Sequence, residues 1–195
     1  MKKKILFFIS SSLIFIGCSH KEAPKPNTAP SITGECIIQD KSAPKWVCTG
    51  GNVEGYITAV GSAKNTPLGF SYQRSEAMAI ARDEIAKQIN VKVKNMFKNY
   101  MASTGAKIDS ADKVTEYVSK QLSKATLIGS KQLNIWIAPD KTLFVLVGVP
   151  IKATKIKELI KSSLQNKKAL WQQFQAEKAQ KELDREIEKE FGNYY

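Results

Sequence analysis

The run Leu133-Asn134-Ile135-Trp136-Ile137-Ala138-Pro139-Asp140-Lys141-Thr142-Leu143-Phe144-Val145-Leu146-Val147-Gly148-Val149 decides the fold class of this chain. Side chains on a strand point alternately to its two faces, so a period of two marks a strand. Leu133, Ile135 and Ile137 alternate with Asn134 and Trp136, and Leu143, Val145, Val147 and Val149 alternate with Phe144 and Leu146. Ala138-Pro139-Asp140-Lys141 joins the two runs. The proline ring fixes φ near the value needed at the first central position of a turn. The stretch therefore reads as a β-hairpin. Its second run is apolar on both faces and should be the more buried strand.

Working outward, Tyr56 to Gly61 is a short β-prone run bounded by glycine, a further strand. Between it and the hairpin the period changes. Met78, Ala81, Ile85, Ile89, Val93, Phe97 and Tyr100 recur by threes and fours, which predicts a helix from a Ser71 cap to about Tyr100. Ser103-Thr104-Gly105 ends it. Asp109-Ser110 should cap a second helix carrying Val114, Tyr117, Val118, Gln121 and Leu122. After the hairpin, Ile151 to Leu164 reads as a third helix with Ile156, Leu159, Ile160 and Leu164 on one side. The expected order is β-α-α-β-β-α with an extra C-terminal helix. This is an α+β fold, a small antiparallel sheet (one strand plus the hairpin) covered by helices.

The extra helix spans 166–195. From Asn166 to Phe191 it holds no glycine or proline and is dense in Lys and Glu, leaving Leu183, Ile187 and Phe191 as a narrow apolar seam. A seam that narrow suits a solvated helix, or one that pairs with another copy or a partner. Trp171 and Phe174 would pin its start to the domain.

The N-terminus has a different character. Lys2, Lys3 and Lys4 precede an uncharged run, Ile5 to Ile16, and small Gly17 stands before Cys18. This is the order of a secretory signal, and the run falls short of the ~20 apolar residues of a spanning helix. A cysteine directly after the cut is what a bacterial lipoprotein signal requires, because its thiol receives diacylglycerol. Phe15 stands where leucine is usual. The alternative is an ordinary signal or an uncleaved anchor. Residues 1–17 are thus read as a lipoprotein signal peptide and 18–34, rich in proline and poor in large apolar residues, as a lipidated tether. A domain over 35–165 follows.

The chain has 30 Lys+Arg against 18 Asp+Glu, a formal charge of +12. Losing residues 1–17 removes three lysines and no acid, leaving 27 against 18, or +9. Export puts nucleic acid out of reach, so anionic lipid, lipopolysaccharide phosphate or peptidoglycan are the available counter-charges. The lysines are spread rather than blocked, which also fits a merely solubilising surface. With Cys18 acylated, Cys36 and Cys48 remain together in an oxidising compartment, where one pairing exists; the alternative is two reduced thiols.

Catalytic constellations do not emerge. His20, the single histidine, lies two residues from the lipid, which excludes a pre-organised histidine pair and a His-based metal site. Asp83 and Glu84 are adjacent on a helix and read as solvated partners of Arg82 or Lys87. Gly50-Gly51 lacks the Lys-Ser of a phosphate loop. No cofactor, metal or catalytic residue is expected.

Several pieces coincide: the lipoprotein start, the proline tether, Ala43-Pro44-Lys45-Trp46-Val47, Ala59-Val60-Gly61-Ser62-Ala63, the helix Glu76-Ala77-Met78-Ala79-Ile80-Ala81-Arg82, and the hairpin end Phe144 to Val149. Over about residues 43–165 the chain resembles the Lpp-twenty lipoprotein family, to which the flagellar outer-membrane lipoprotein FlgP is related. The resemblance implies a non-enzymatic outer-membrane lipoprotein, either adhesin-like or flagellar-disk-like. The expected partners are a membrane, through lipid on Cys18, and an envelope protein or a second copy. The alternative is a periplasmic binding module for an anionic glycan or lipid. Trp136 with Phe144 and Leu146, on the second face of the hairpin, is the candidate interaction surface unless helices cover it as core.

Overall fold

Alternating apolar residues put one side of the first predicted strand and of the hairpin's second run against the long helix. A computed structural model describes residues 34–105, 111–165 and 177–192. Cys18 with the signal and tether, the Asp109-Ser110 cap, and Trp171 and Phe174 lie outside the described residues. The elements are β1 (Ile37–Ile38), β2 (Lys41–Ser42), α1 (Lys45–Thr49), β3 (Tyr56–Ala63), α2 (Phe70–Thr104), α3 (Ala111–Leu127), β4 (Lys131–Ile137), β5 (Leu143–Pro150), α4 (Ala153–Gln165) and α5 (Glu177–Phe191). The class is α+β, as the alternation predicts.

β3, β5 and β4 form an antiparallel sheet in that order, with β5 in the centre. Both neighbours of β5 are its hydrogen-bonding partners, which is why its apolar residues run without a polar break. The turn between β4 and β5 carries Pro139 as expected: Lys141 N donates to Ala138 O at 2.8 Å, and Ala138 N to Thr142 O at 2.9 Å. Lys141 follows in the left-handed region at φ 66°, where glycine is the usual residue. Between Gln132 and Asn134 the register of β4 shifts, leaving Leu133 as a bulge. The alternation read from Leu133 onward therefore holds only from Asn134.

Gly61 explains how α2 meets the sheet. A Cβ there would lie 1.9 Å from Ala77 O and 2.7 Å from Ala81 N, so only glycine allows this approach. Ala59, Gly61 and Ala63 of β3 face a helix stripe that begins with Gln73, Ala77 and Ala81 and continues through Ile85, Ile89 and Val93. The stripe starts earlier than predicted, and Met78 is only partly buried. Nor does Ser71 cap the helix. Gly69, at φ 89°, holds the N-cap position, because the chain must reverse sharply after Pro67-Leu68.

At 35 residues α2 is ~50 Å long, about twice the ~26 Å of an eight-residue strand. Its distal half is covered by helices instead. α5 runs antiparallel to it: Lys92 Nζ donates to Glu190 O at 2.7 Å and lies 5.8 Å from the Phe191 ring centroid, while Tyr100, two turns on, is within reach of the Glu182 charge. Leu183, Ile187 and Phe191 are all buried in the common core. The expectation of a solvated or externally paired tail helix is thus corrected. Three side chains suffice because α2 projects beyond the sheet with its apolar stripe uncovered there. Asp184 completes the seam, paired with Lys157 at 2.6 Å and Lys161 at 2.9 Å on α4.

Candidate interaction surface

The sheet's second face carries Tyr56, Thr58, Val60 and Ser62 of β3 opposite Pro150, Gly148, Leu146 and Phe144 of β5, with Trp136 of β4 opposite Phe144. Among the described residues no long helix lies here. The segment 36–51 crosses it as a strap built from β1, β2 and α1. The Cys36–Cys48 disulfide closes the strap, with Cα atoms 5.8 Å apart, and Ala43 N donates to Cys36 O at 2.7 Å.

Glycine again sets the contact. Gly51, at φ 71°, passes so near the sheet that a Cβ would lie 2.7 Å from Leu146 Cδ1. Thr58 Oγ1 donates to Gly51 O at 2.7 Å, fixing the strap to β3. Leu146 is buried as a result, which removes it from the candidate surface: it serves as the floor of the strap. Trp136 and Phe144 stay half-buried, their ring centroids 5.5 Å apart and tilted by 44°, a separation typical of favourable aromatic pairs. Toward the other end of the sheet, Leu133 and Tyr56 close over Gly148 from the two flanking strands.

The strap was hidden from sequence reading. Its strands are two residues each, too short for alternation to register. The signals were the Cys36 and Cys48 pair and Gly50-Gly51, of which Gly51 marks close backbone approach.

Open grooves flank α2. One, of about 270 Å³, runs between α2 and α3 along Lys87, Asn90, Glu116, Ser119 and Lys120. Ser119 is buried there, and its hydroxyl has no hydrogen-bond partner among the described residues. Another, of about 330 Å³, lies between α2 and α5. Neither is lined by an aromatic ring. Glu84 pairs with Lys87 at 3.3 Å, whereas Arg82 turns to Ser130 Oγ at 2.8 Å instead of to an acid. Among the described residues no group of three or more His, Cys, Asp or Glu could hold a metal ion, and no helix is long and apolar enough to cross a membrane.

Residues 44–150, more than half of the chain, match the LPP20 lipoprotein family. The chain belongs to that family. The match runs from Pro44, just before α1, to the last residue of β5, and so takes in the strap's second half, the whole three-stranded sheet, α2 and α3. α4 and α5, which complete this LPP20 protein's core, follow it. No curated protein matches the chain by sequence. The close-packed motif Ala59-Val60-Gly61-Ser62-Ala63 against Ala77 and Ala81 lies inside the matched segment, where it holds the helix to the sheet.

Proposed function

We propose that this LPP20 lipoprotein is held at the outer membrane by lipid on Cys18 and works as a non-enzymatic structural or interaction module of the envelope, of the surface-antigen or flagellar-disk kind. Its partner is a second envelope protein or another copy, received on the sheet's outer face around Trp136 and Phe144. The observation that carries this reading is the half-open aromatic pair on a face whose surroundings are pinned by a disulfide. Such a rigid, partly exposed aromatic cluster is the kind of anchor that dominates protein interfaces. Two acyl chains give stable attachment where one is marginal, so Cys18→Ala should release the protein from the membrane fraction. Trp136→Ser with Phe144→Ser should leave it membrane-bound and folded yet abolish its cross-linked envelope complexes. Unchanged complexes in the double variant would overturn the interface.

The groove between α2 and α3 supports a second reading, a binding module for an anionic glycan or lipid. Lys87 and Lys120, which line that groove, would meet the charge. Calorimetric titration with a phosphorylated glycan decides between the two. Binding lost in Lys87→Gln with Lys120→Gln would favour the second.

A further inference from the structure

Exposed apolar side chains are unevenly placed on this domain. Seven large apolar side chains among the described residues are at least half exposed; the fold brings five of them, Ile37, Leu68, Phe70, Tyr72 and Ile137, to one end, while Val91 and Ile128 lie elsewhere. Gln73, in the first turn of α2, donates through Nε2 to Ala63 O at 3.0 Å and to Lys141 O at 2.8 Å. That ties the start of α2 to the end of β3 and to the β4–β5 turn. Asp140 N in the same turn donates to Gln39 Oε1 at 3.1 Å, which adds the β1–β2 turn and, two residues before it, Ile37. Arg74 reaches Gln132 and Arg82 reaches Ser130, so α2 runs antiparallel to β4 and its first turn lies where β4 ends at Ile137.

This end is stiff. Gln39, Asp40 and Lys141 all sit in the left-handed region, at φ 52°, 59° and 66°. Non-glycine residues hold such angles only where surroundings over-determine them, and here the two turns and Gln73 brace one another. Exposed Lys41, Lys64 and Lys141 flank the apolar group, together with the acids Glu35, Asp40 and Asp140.

The chain enters the described structure at this same end. Gly34 is three residues from Ile37, and sixteen residues separate Cys18 from the domain (Ser19 to Gly34). At most they span ~55 Å, and ~20–25 Å as a coil. We infer that this end, with Ile37, Leu68, Phe70, Tyr72 and Ile137, is a membrane-docking surface that seats on an anionic phospholipid bilayer. The inference rests on the reading of Cys18 as a lipid anchor and adds an orientation to it. The lipid holds the domain near the bilayer, the apolar side chains enter the headgroup boundary as interfacial anchors do, and the lysines meet phosphate. The outer sheet face then stands sideways to the membrane, open to a partner.

The test uses the full chain, exported and recovered in lipidated form, as Phe70→Cys and separately as Val91→Cys. Val91 is an equally exposed control on α2, ~30 Å further along the helix. With Cys18 acylated and Cys36–Cys48 oxidised, each variant offers one thiol for a polarity-sensitive dye. Reconstituted into vesicles of phosphatidylethanolamine and phosphatidylglycerol, the Phe70 dye should shift to the blue and be quenched by shallow nitroxide lipids. The Val91 dye should stay water-like, and replacing phosphatidylglycerol by phosphatidylcholine should shrink the Phe70 shift. Floating vesicles that carry a water-like Phe70 dye would overturn the docking surface while sparing the anchor. Failure to float would overturn both. A Phe70 shift that grows with protein concentration in detergent, without vesicles, would assign the surface to a second copy and overturn the proposal.

Discussion

The two faces of the three-stranded sheet are covered in opposite ways. On the inner face, Ala59, Gly61 and Ala63 meet Ala77 and Ala81 at backbone distance, and the layer continues into Ile85, Val145 and Val147 with almost no exposed surface. On the outer face, a sixteen-residue strap with little regular structure covers Leu146 and leaves Trp136 and Phe144 half open. Inner packing is continuous and tolerates no added atom. Outer packing depends on the disulfide, on Gly51, and on the bonds of Thr58 to Gly51 and of Asp140 to Gln39. The first face is closed by continuous packing, and the second keeps part of its aromatic surface open.

The sharpest way to break that contrast is Gly61→Leu. The added side chain collides with backbone of α2 rather than with a movable side chain, so the loss should exceed ~3 kcal/mol, the upper range of ordinary overpacking. Thermal denaturation followed by circular dichroism should show a domain barely folded, out of a typical stability of ~5–15 kcal/mol. A cooperative transition near the parent's would mean that the inner face yields more than its geometry implies.

Phe191→Ala asks whether the inner layer truly extends to α5. Phe191 is fully buried, so a loss of about 3 kcal/mol is expected in denaturant titration. A change under about 0.5 kcal/mol, the range of surface sites, would return α5 to the status of a solvated appendage. The same burial means that residues 166–195 cannot be removed without exposing core.

Reduction of Cys36–Cys48 acts on the other face alone. Opening a loop with a sequence separation of 12 costs the strap up to ~3 kcal/mol in the chain-entropy model. Hydrogen exchange should speed up over residues 36–51 and at Leu146, while Ala77 to Val93 stay protected. Equal acceleration on both faces would show that the strap and the scaffold unfold as one.

A smaller effect comes from pH. Burial pushes the Tyr100 phenol above its ordinary 10.0, and Glu182 acts in the same direction, against a hydrogen bond with Thr104. Because the folded value is the higher one, the contribution is complete below pH 10 and is lost as pH rises from the unfolded value through the folded one. Tyr100→Phe should flatten the alkaline limb of the stability profile and leave neutral stability nearly intact. An unchanged alkaline limb would point to another group.

Long periodic elements could be read in advance, since alternation in the β4–β5 hairpin and the three-four spacing of α2 reflect a single buried side repeated many times. The bulge at Leu133 could not, because one extra residue changes register without changing composition. Burial of the seam in α5 was also out of reach. Leu183, Ile187 and Phe191 look the same whether they face water, a partner or their own domain, and what decides is the uncovered half of α2. Of the three side chains singled out on the hairpin's second face, Trp136 and Phe144 are half-buried and Leu146 is buried, because its cover comes from a strap more than ninety residues earlier in the chain.

Local chemistry alone settled where this chain makes its long helices and the strands of its three-stranded sheet. Such features follow from neighbours in sequence, through backbone sterics and the periodicity of burial. Tertiary structure decided which apolar side chains remain in water: it buried the α5 seam, hid Leu146, and collected Ile37, Leu68, Phe70, Tyr72 and Ile137 at one end. Exposure depends on what distant segments cover, and no local pattern records that.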